Sequence, residues 1–105
     1  MAHKVYFRPH AEADLAALYN YIADRAGPEI AGHYLDRIEQ ACMKLAQFPE
    51  RGTQRPDIMA GLRTVGFEGR VTIAFRVLKT RVEIVAIAYA GRQFEDDLGG
   101  PDDGD

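Results

Sequence analysis

The chain has 105 residues, of which 47% are hydrophobic and 28% are charged, a composition typical of one globular domain with a single core. It contains no run of about 18 apolar residues, and its one cysteine excludes an internal disulfide, so we expect a cytoplasmic protein without a membrane span. The net charge of −3 is unevenly distributed: residues 95–105 contain six acids and no base, whereas residues 51–92 contain eight bases and three acids. This asymmetry favours an anionic partner, although a solvated sheet face would also account for it.

The first part of the chain predicts a strand followed by a helical hairpin. Residues 3–8 alternate between apolar and polar side chains, which indicates a half-buried strand that ends at Pro9. Two helical stripes follow, separated by Gly27 and Pro28, and the short turn between them predicts antiparallel helices. The stripes comprise Ala11, Leu15, Leu18 and Ile22, and then Ala31, Tyr34, Leu35, Ile38, Ala41, Cys42, Leu45 and Phe48.

The second part of the chain predicts strands. Residues 49–61, which contain prolines and glycines, are expected to be irregular. A period of two then indicates strands at 62–67, 70–77 and 81–90, with a turn at Lys79 and Thr80 that makes the last two a hairpin. The last strand is apolar on both faces after Glu83, so it should lie inside the sheet.

The predicted order is β-α-α-β-β-β, which places the chain in the α+β class. The helical hairpin should pack on one face of a mainly antiparallel sheet. We expect one domain over residues 1–98 and a disordered acidic tail over residues 99–105, because the tail is rich in glycine and aspartate and has no apolar side chain to bury.

No constellation of catalytic or metal-binding side chains is apparent. The three histidines, His3, His10 and His33, are scattered, so no metal site is expected. The chain contains no serine, which excludes a Ser-His-Asp triad. Cys42 falls within an apolar stripe and is interpreted as a small buried side chain.

Arginines are the remaining candidates for a functional site. Arg63 and Arg76 lie on predicted strands, and Arg92 follows the last one. If these strands are neighbours, the three guanidiniums gather on one side of the sheet and bind phosphates or carboxylates. After Arg92 the chain offers Phe94 and then carboxylates that would pair with the arginines, so no general acid is visible. The residues alone therefore predict an anion-binding surface and no catalytic residue.

The chain resembles the toxins of the RelE/ParE superfamily, and is most similar to the ParE branch. The resemblance covers about residues 4 to 98 and is carried by "AEADLAALYNYIADRAG", "LAQFPERGTQR", "GLRTVGF" and "AIAYAGRQFEDDL", in that order. It implies the same β-α-α-β-β-β fold. It also implies a toxin encoded beside a ParD-like antitoxin, whose C-terminal segment wraps across the helical hairpin and the sheet.

The two branches of this superfamily differ in action. RelE-like members are ribosome-dependent messenger ribonucleases with basic residues on the sheet and typically a tyrosine in the C-terminal segment, whereas ParE-like members inhibit DNA gyrase. Residues 93–105 contain no tyrosine, residues 49–61 contain no lysine, and an acidic tail repels messenger RNA. The resemblance therefore implies a gyrase-binding toxin without enzymatic activity, cofactor or direct nucleic-acid contact. A ribonuclease with Arg63, Arg76 and Arg92 at the phosphate remains the alternative.

Antitoxin binding is predicted on the helical hairpin and the basic strands. We expect an apolar groove beside the hairpin, where a partner helix would lie, and basic strand faces that accept an acidic or extended segment. The predicted contacts are Tyr19, Tyr21, Tyr34, Leu35, Ile38, Arg63 and Arg76. Arg92 is expected to bind an anion or to pair with Glu95 or Asp96 on the same surface.

Overall fold

The computed structural model describes residues 4–89, which form two helices packed on a five-stranded sheet. In chain order the elements are β1 Lys4–Phe7, α1 Pro9–Ala26, α2 Pro28–Lys44, β2 Thr53–Gln54, β3 Leu62–Phe67, β4 Val71–Val77 and β5 Arg81–Tyr89. The predicted α+β order is confirmed, with the two-residue β2 as an addition inside the segment expected to be irregular. The predicted domain end at Leu98 and the tail of residues 99–105 lie outside the described residues.

The sheet has the strand order β1-β5-β4-β3-β2. β1 pairs parallel with β5, and the other neighbouring strands pair antiparallel. β5 thus has a partner on both sides, as its two apolar faces predicted. Neither helix of the described part is long and apolar enough to cross a membrane.

The main core lies between the helical hairpin and one face of the sheet. Its largest fully buried side chains include Phe75 and Ile84 from the sheet and Ile38 and Leu45 from α2 and its C-terminal end. Removing each such side chain from water contributes about 1.5–3 kcal/mol. Cys42 belongs to this cluster and is fully buried, as predicted.

Phe48 departs from the prediction. α2 ends at Lys44, and the chain continues through a series of turns, so the stripe that runs up to Leu45 does not extend to Phe48. The ring of Phe48 is 61% exposed, and the guanidinium of Arg51 lies 5.8 Å from its centroid.

A smaller cluster covers part of the opposite face of the sheet. Ile58, with Met59 beside it, comes from the segment between β2 and β3 and packs on Leu62 and on small side chains of β4 and β5. Ala74 pairs with Ala86 while Phe75 pairs with Ile84, so Val85 is the extra residue of a β-bulge. As a result Val85 and Ala86, consecutive residues, both belong to this second cluster.

A side-chain hydrogen bond joins α1 to the second half of β5. β1 pairs only with Arg81–Ile84, and further along the strand the Ile87 amide donates a hydrogen bond to Oδ2 of Asp14 at 2.9 Å. The same carboxylate lies 3.1 Å from Nδ1 of His10. Asp14 therefore positions the end of β5, which carries Tyr89, against the hairpin.

Candidate functional site

Arg63 and Arg76 lie on opposite faces of the sheet. The β3–β4 register pairs Arg63 with Phe75 and Leu62 with Arg76. Phe75 belongs to the helix-side core and Leu62 to the opposite cluster, and cross-strand partners share a face. The prediction that the arginines gather on one side of the sheet is therefore wrong for this pair. Arg92 lies outside the described residues.

The sequence contained the signal for this separation. Arg63 is in phase with Val65 and Phe67, which pack against the helix-side core, whereas Arg76 is out of phase with the buried Phe75. Arg63 donates a long hydrogen bond from Nη1 to the carbonyl oxygen of Arg51 at 3.4 Å. It reaches the edge of the sheet rather than its centre.

Arg76 stands in a charged strip across the face that the helices do not cover. Its cross-strand neighbour on β5 is Glu83, which is 7% exposed. Arg81 donates from Nη2 to Oε2 of Glu83 at 2.8 Å, and its guanidinium lies 4.9 Å from the ring centroid of Tyr6. The buried carboxylate thus already has a cationic partner, and this strip is held together by its own charges.

On the helix side, an aromatic groove opens between the hairpin and the end of the sheet. It has a volume of about 310 Å³ and is lined by Ile22, Ile30, His33, Tyr34, Arg37, Arg70 and Tyr89. The Tyr34 ring packs near those of Phe67 and Tyr89, with centroids 6.0 and 6.5 Å away. Burial, and then the charge of Glu68, raise the pKa of Tyr34, and its buried hydroxyl has no hydrogen-bond partner among residues 4–89.

A basic groove lies next to it, between α2 and the edge of β3. It has a volume of about 360 Å³ and is lined by Arg37, Gln40, Ala41, Lys44, Leu45, Arg51, Val65, Gly66, Phe67 and Ile73. Within the described part of the chain its lining contains three cations and no acid, above an apolar floor. Such a combination accepts an acidic chain that also carries apolar side chains.

Arg37 lies at the boundary between the aromatic groove and the basic groove. It binds Glu68 through two hydrogen bonds, from Nε at 3.0 Å and from Nη2 at 3.2 Å. This bidentate contact lowers the pKa of Glu68 and raises that of Arg37. The Arg37 guanidinium also lies 5.2 Å from the ring centroid of Tyr34. Arg37 is therefore fixed, and the two grooves form one continuous surface.

The predicted hairpin contacts are distributed unevenly over this surface. Tyr34 lines the aromatic groove, and Tyr21 packs edge-on against Tyr89 with centroids 5.6 Å apart. Tyr19 is partly exposed but lines neither groove, and Leu35 is half-buried against the core. Ile38 is a correction: it is fully buried in the core between hairpin and sheet, so it offers no area to a partner.

The cations of both grooves were not among the predicted site residues; they are Arg37, Lys44, Arg51 and Arg70. Arg37 and Lys44 are seven residues apart on α2 and thus share a face beside the apolar stripe, a signal that was available. Arg51 and Arg70 lie in connecting segments whose positions depend on the tertiary fold. No group of three or more histidines, cysteines or carboxylates within residues 4–89 is arranged to hold a metal ion.

Comparisons with known proteins give the fold and site their context. The family model of the ParE toxin of type II toxin–antitoxin systems, parDE, matches residues 5–94. Toxin ParE3 of Caulobacter vibrioides is 28% identical over 82 residues, which is 70% of this chain and 82% of that protein.

Solved structures of toxin–antitoxin systems share the fold. A chain of the chromosomal ParDE system from P. aeruginosa superposes with a TM-score of 0.74 at 28% identity, over 85% of this chain and 97% of that one. The RelBE2 toxin–antitoxin complex from Mycobacterium tuberculosis matches with a TM-score of 0.57 at 21% identity, over 85% and 99%, and supports the fold alone. Because the family model spans nearly all of the described residues, the chain belongs to the ParE family of type II toxin–antitoxin toxins.

Proposed function

We propose that this chain is a cytoplasmic toxin that a cognate ParD-like antitoxin neutralises, and that the free toxin inhibits DNA gyrase by binding it. In this proposal the toxin is a protein-binding inhibitor and not an enzyme. The observation that carries the proposal is the match of the ParE family model over residues 5–94. The likeness to a chain of a ParDE system over 85% of this chain supports it.

The surface on the helix side supports a protein partner. The aromatic groove carries an exposed isoleucine, Ile30, and aromatic rings, whereas the basic groove carries cations over an apolar floor. An amphipathic helix with acidic flanks would bury apolar side chains in the first and place carboxylates in the second. We propose Tyr34 as an antitoxin contact in the aromatic groove, with Tyr21 next to it against Tyr89, and with Leu35 contributing the part of its side chain that the core leaves exposed.

The placement of the strand arginines supports inhibition by binding rather than phosphodiester cleavage. Stabilising a phosphoryl transition state requires donors that converge on one group of oxygens. Arg63 and Arg76 point to opposite faces, and Arg76 lies beside the carboxylate of Glu83. We therefore propose these two arginines as separate contacts for a partner, Arg63 at the β3 edge and Arg76 on the other face.

One observation favours a second candidate, ribosome-dependent messenger cleavage. His33 and Arg70 both line the aromatic groove, so an imidazole and a guanidinium lie on the same surface. The Arg70 guanidinium forms no ion pair within residues 4–89. An imidazole is a suitable proton-transfer group near neutral pH. A messenger cleavage assay with purified ribosomes tests this candidate, and His33→Ala would have to abolish any cleavage found.

The proposed function is tested with purified gyrase. Supercoiling should fall as the toxin is added, and the product of the adjacent reading frame should restore it. Full supercoiling activity at a large molar excess of toxin would contradict the gyrase target. In cells, expression without the adjacent reading frame should cause filamentation and a DNA damage response.

Two matched substitutions on α2 test the antitoxin surface. Ile30 and Met43 are 57% and 55% exposed, and only Ile30 lines a groove. Ile30→Gln should weaken antitoxin binding about fivefold to twentyfold, because burying the exposed part of this side chain contributes about 1–1.7 kcal/mol. Met43→Gln should leave the affinity unchanged. Equal effects of the two substitutions on the dissociation constant would place the antitoxin elsewhere.

A further inference from the structure

The described chain ends next to both grooves. Tyr89, the last described residue, lines the aromatic groove and pairs with Val71 on β4, and Val71 pairs in turn with Phe67 on β3. Because neighbouring strands lie about 4.8 Å apart, the backbones of Tyr89 and Phe67 are separated by about 10 Å. The residues that follow Tyr89 therefore start two strands away from the edge of β3.

That edge of the sheet is only partly paired. β2 pairs with Arg63 and Thr64, and in the described residues no strand pairs with the outer side of residues 65–67. The same three residues line the basic groove. An unpaired strand edge beside a groove accepts an extended peptide through its backbone groups.

The charges of the basic groove call for an acidic occupant. Lys44 and Arg51 form no ion pair within residues 4–89, and neither does Arg70 in the adjoining aromatic groove. Arg37, in contrast, is already neutralised by Glu68. Residues 95–105 of the same chain carry six acids and no base. The charge of this segment is thus complementary to a row of cations that begins where the described chain ends.

We propose that the acidic segment of residues 95–105 binds intramolecularly in the basic groove, along the open edge of β3. Residues 90–94 connect it to Tyr89 and span up to about 17 Å when extended, more than the separation of about 10 Å between Tyr89 and Phe67. The segment therefore reaches the groove without rearrangement of residues 4–89.

Tethering compensates for the weakness of each contact. An exposed ion pair contributes little by itself, but attachment to the same chain through only five residues raises the local concentration of the segment to the ~mM range. The bound segment would occupy the surface that an acidic partner uses, so a partner has to displace it. The inference concerns the chain alone and holds whatever the target of the toxin is.

A spin label on the segment tests the inference in the full-length chain. Gly104→Cys adds an attachment site without removing any acid. The native Cys42 should stay unlabelled, because it is fully buried and burial raises the pKa of its thiol to about 12. At low salt, paramagnetic broadening should be strongest at the amides of Lys44, Arg51 and Val65. It should disappear at about 1 M salt, where the screening length falls to about 3 Å.

Two charge variants identify the groove as the binding site. Lys44→Gln combined with Arg51→Gln should remove the broadening, whereas Lys79→Gln, at the exposed β4–β5 turn, should leave it in place. Absence of broadening in the groove at low salt would overturn the inference, as would broadening that survives the double substitution. If mixing labelled chains with unlabelled ¹⁵N chains transfers the broadening between molecules, a second copy occupies the groove and the intramolecular assignment is wrong.

Discussion

Replacing Asp14 with alanine removes the acceptor for the Ile87 amide. The Asp14 side chain is 11% exposed, and its Oδ2 lies 2.9 Å from the amide nitrogen, so the substitution leaves a partly buried donor without a partner. Leaving such a group unsatisfied costs about 1–3 kcal/mol of the free energy of unfolding. The contact with His10 adds little, because the imidazole is 43% exposed. Asp14→Asn keeps an acceptor oxygen and should recover part of the loss.

The assay is urea unfolding, combined with hydrogen exchange of the Ile87 amide measured by NMR. For a domain of this size each kcal/mol lowers the melting temperature by roughly 4–8 °C. Asp24→Ala is the matched control, because Asp24 is an exposed acid on the same helix that makes no side-chain hydrogen bond or ion pair in the described residues. We expect its free energy of unfolding to stay within about 0.5 kcal/mol of that of the original chain.

Unfolding of Asp14→Ala and Asp24→Ala at the same urea concentration would contradict this role of Asp14. So would an Asp14→Ala chain that unfolds earlier while its Ile87 amide keeps full protection from exchange. In that case the loss of stability would come from α1 itself and not from its attachment to β5.

Two further predictions concern the β2 region and the buried thiol. Gly52→Ala should destabilise the chain more than Gly61→Ala. Both glycines have positive φ, so both substitutions strain the backbone. A Cβ at Gly52 would in addition overlap the carbonyl oxygen of Thr64, whereas a Cβ at Gly61 meets no atom closer than 4.0 Å. Urea midpoints of the two variants compare the costs, and equal midpoints would show that the overlap is relieved. The Cys42 thiol should react with a disulfide reagent at pH 8 at least about 1000-fold more slowly than in the unfolded chain, because its pKa rises from 9.0 to about 12. Since the unfolded thiol ionises first, the free energy of unfolding should fall as the pH rises above about 9, and Cys42→Ala should remove that part of the pH dependence.

Periodicity was sufficient to predict the helices and the long strands. The alternation in "LRTVGF" gave the bounds of β3 as the structure has them, and the apolar stripes gave the faces of α1 and α2 that form the core. β2 has only two residues, too few to show any period. The end of α2 was missed because Leu45 and Ala46 remain buried after the helical geometry has ended, so the stripe continues where the helix does not.

The site was harder to predict than the fold, because it depends on register and on loops. Arg63 could have been assigned to the helix side from its phase with Val65. Nothing in the local sequence, however, brings Arg51 and Arg70 to the grooves beside α2. Ile38 was assigned to the partner surface because a stripe defines a face without saying how deep each residue lies within it.

The parallel pairing of β1 with β5 has a consequence for how the toxin is made. Lys4, near the start of the chain, lies opposite Arg81 in the register, so this part of the sheet closes only after almost the whole described sequence has been synthesised. Contacts between residues so far apart in sequence form slowly, since a long loop must close first. Until β5 leaves the ribosome, the hairpin lacks the strand whose Val82, Ile84 and Ile87 complete its core. The emerging chain thus exposes hydrophobic surface until β5 has been made, and this is the stage at which it is most prone to aggregate.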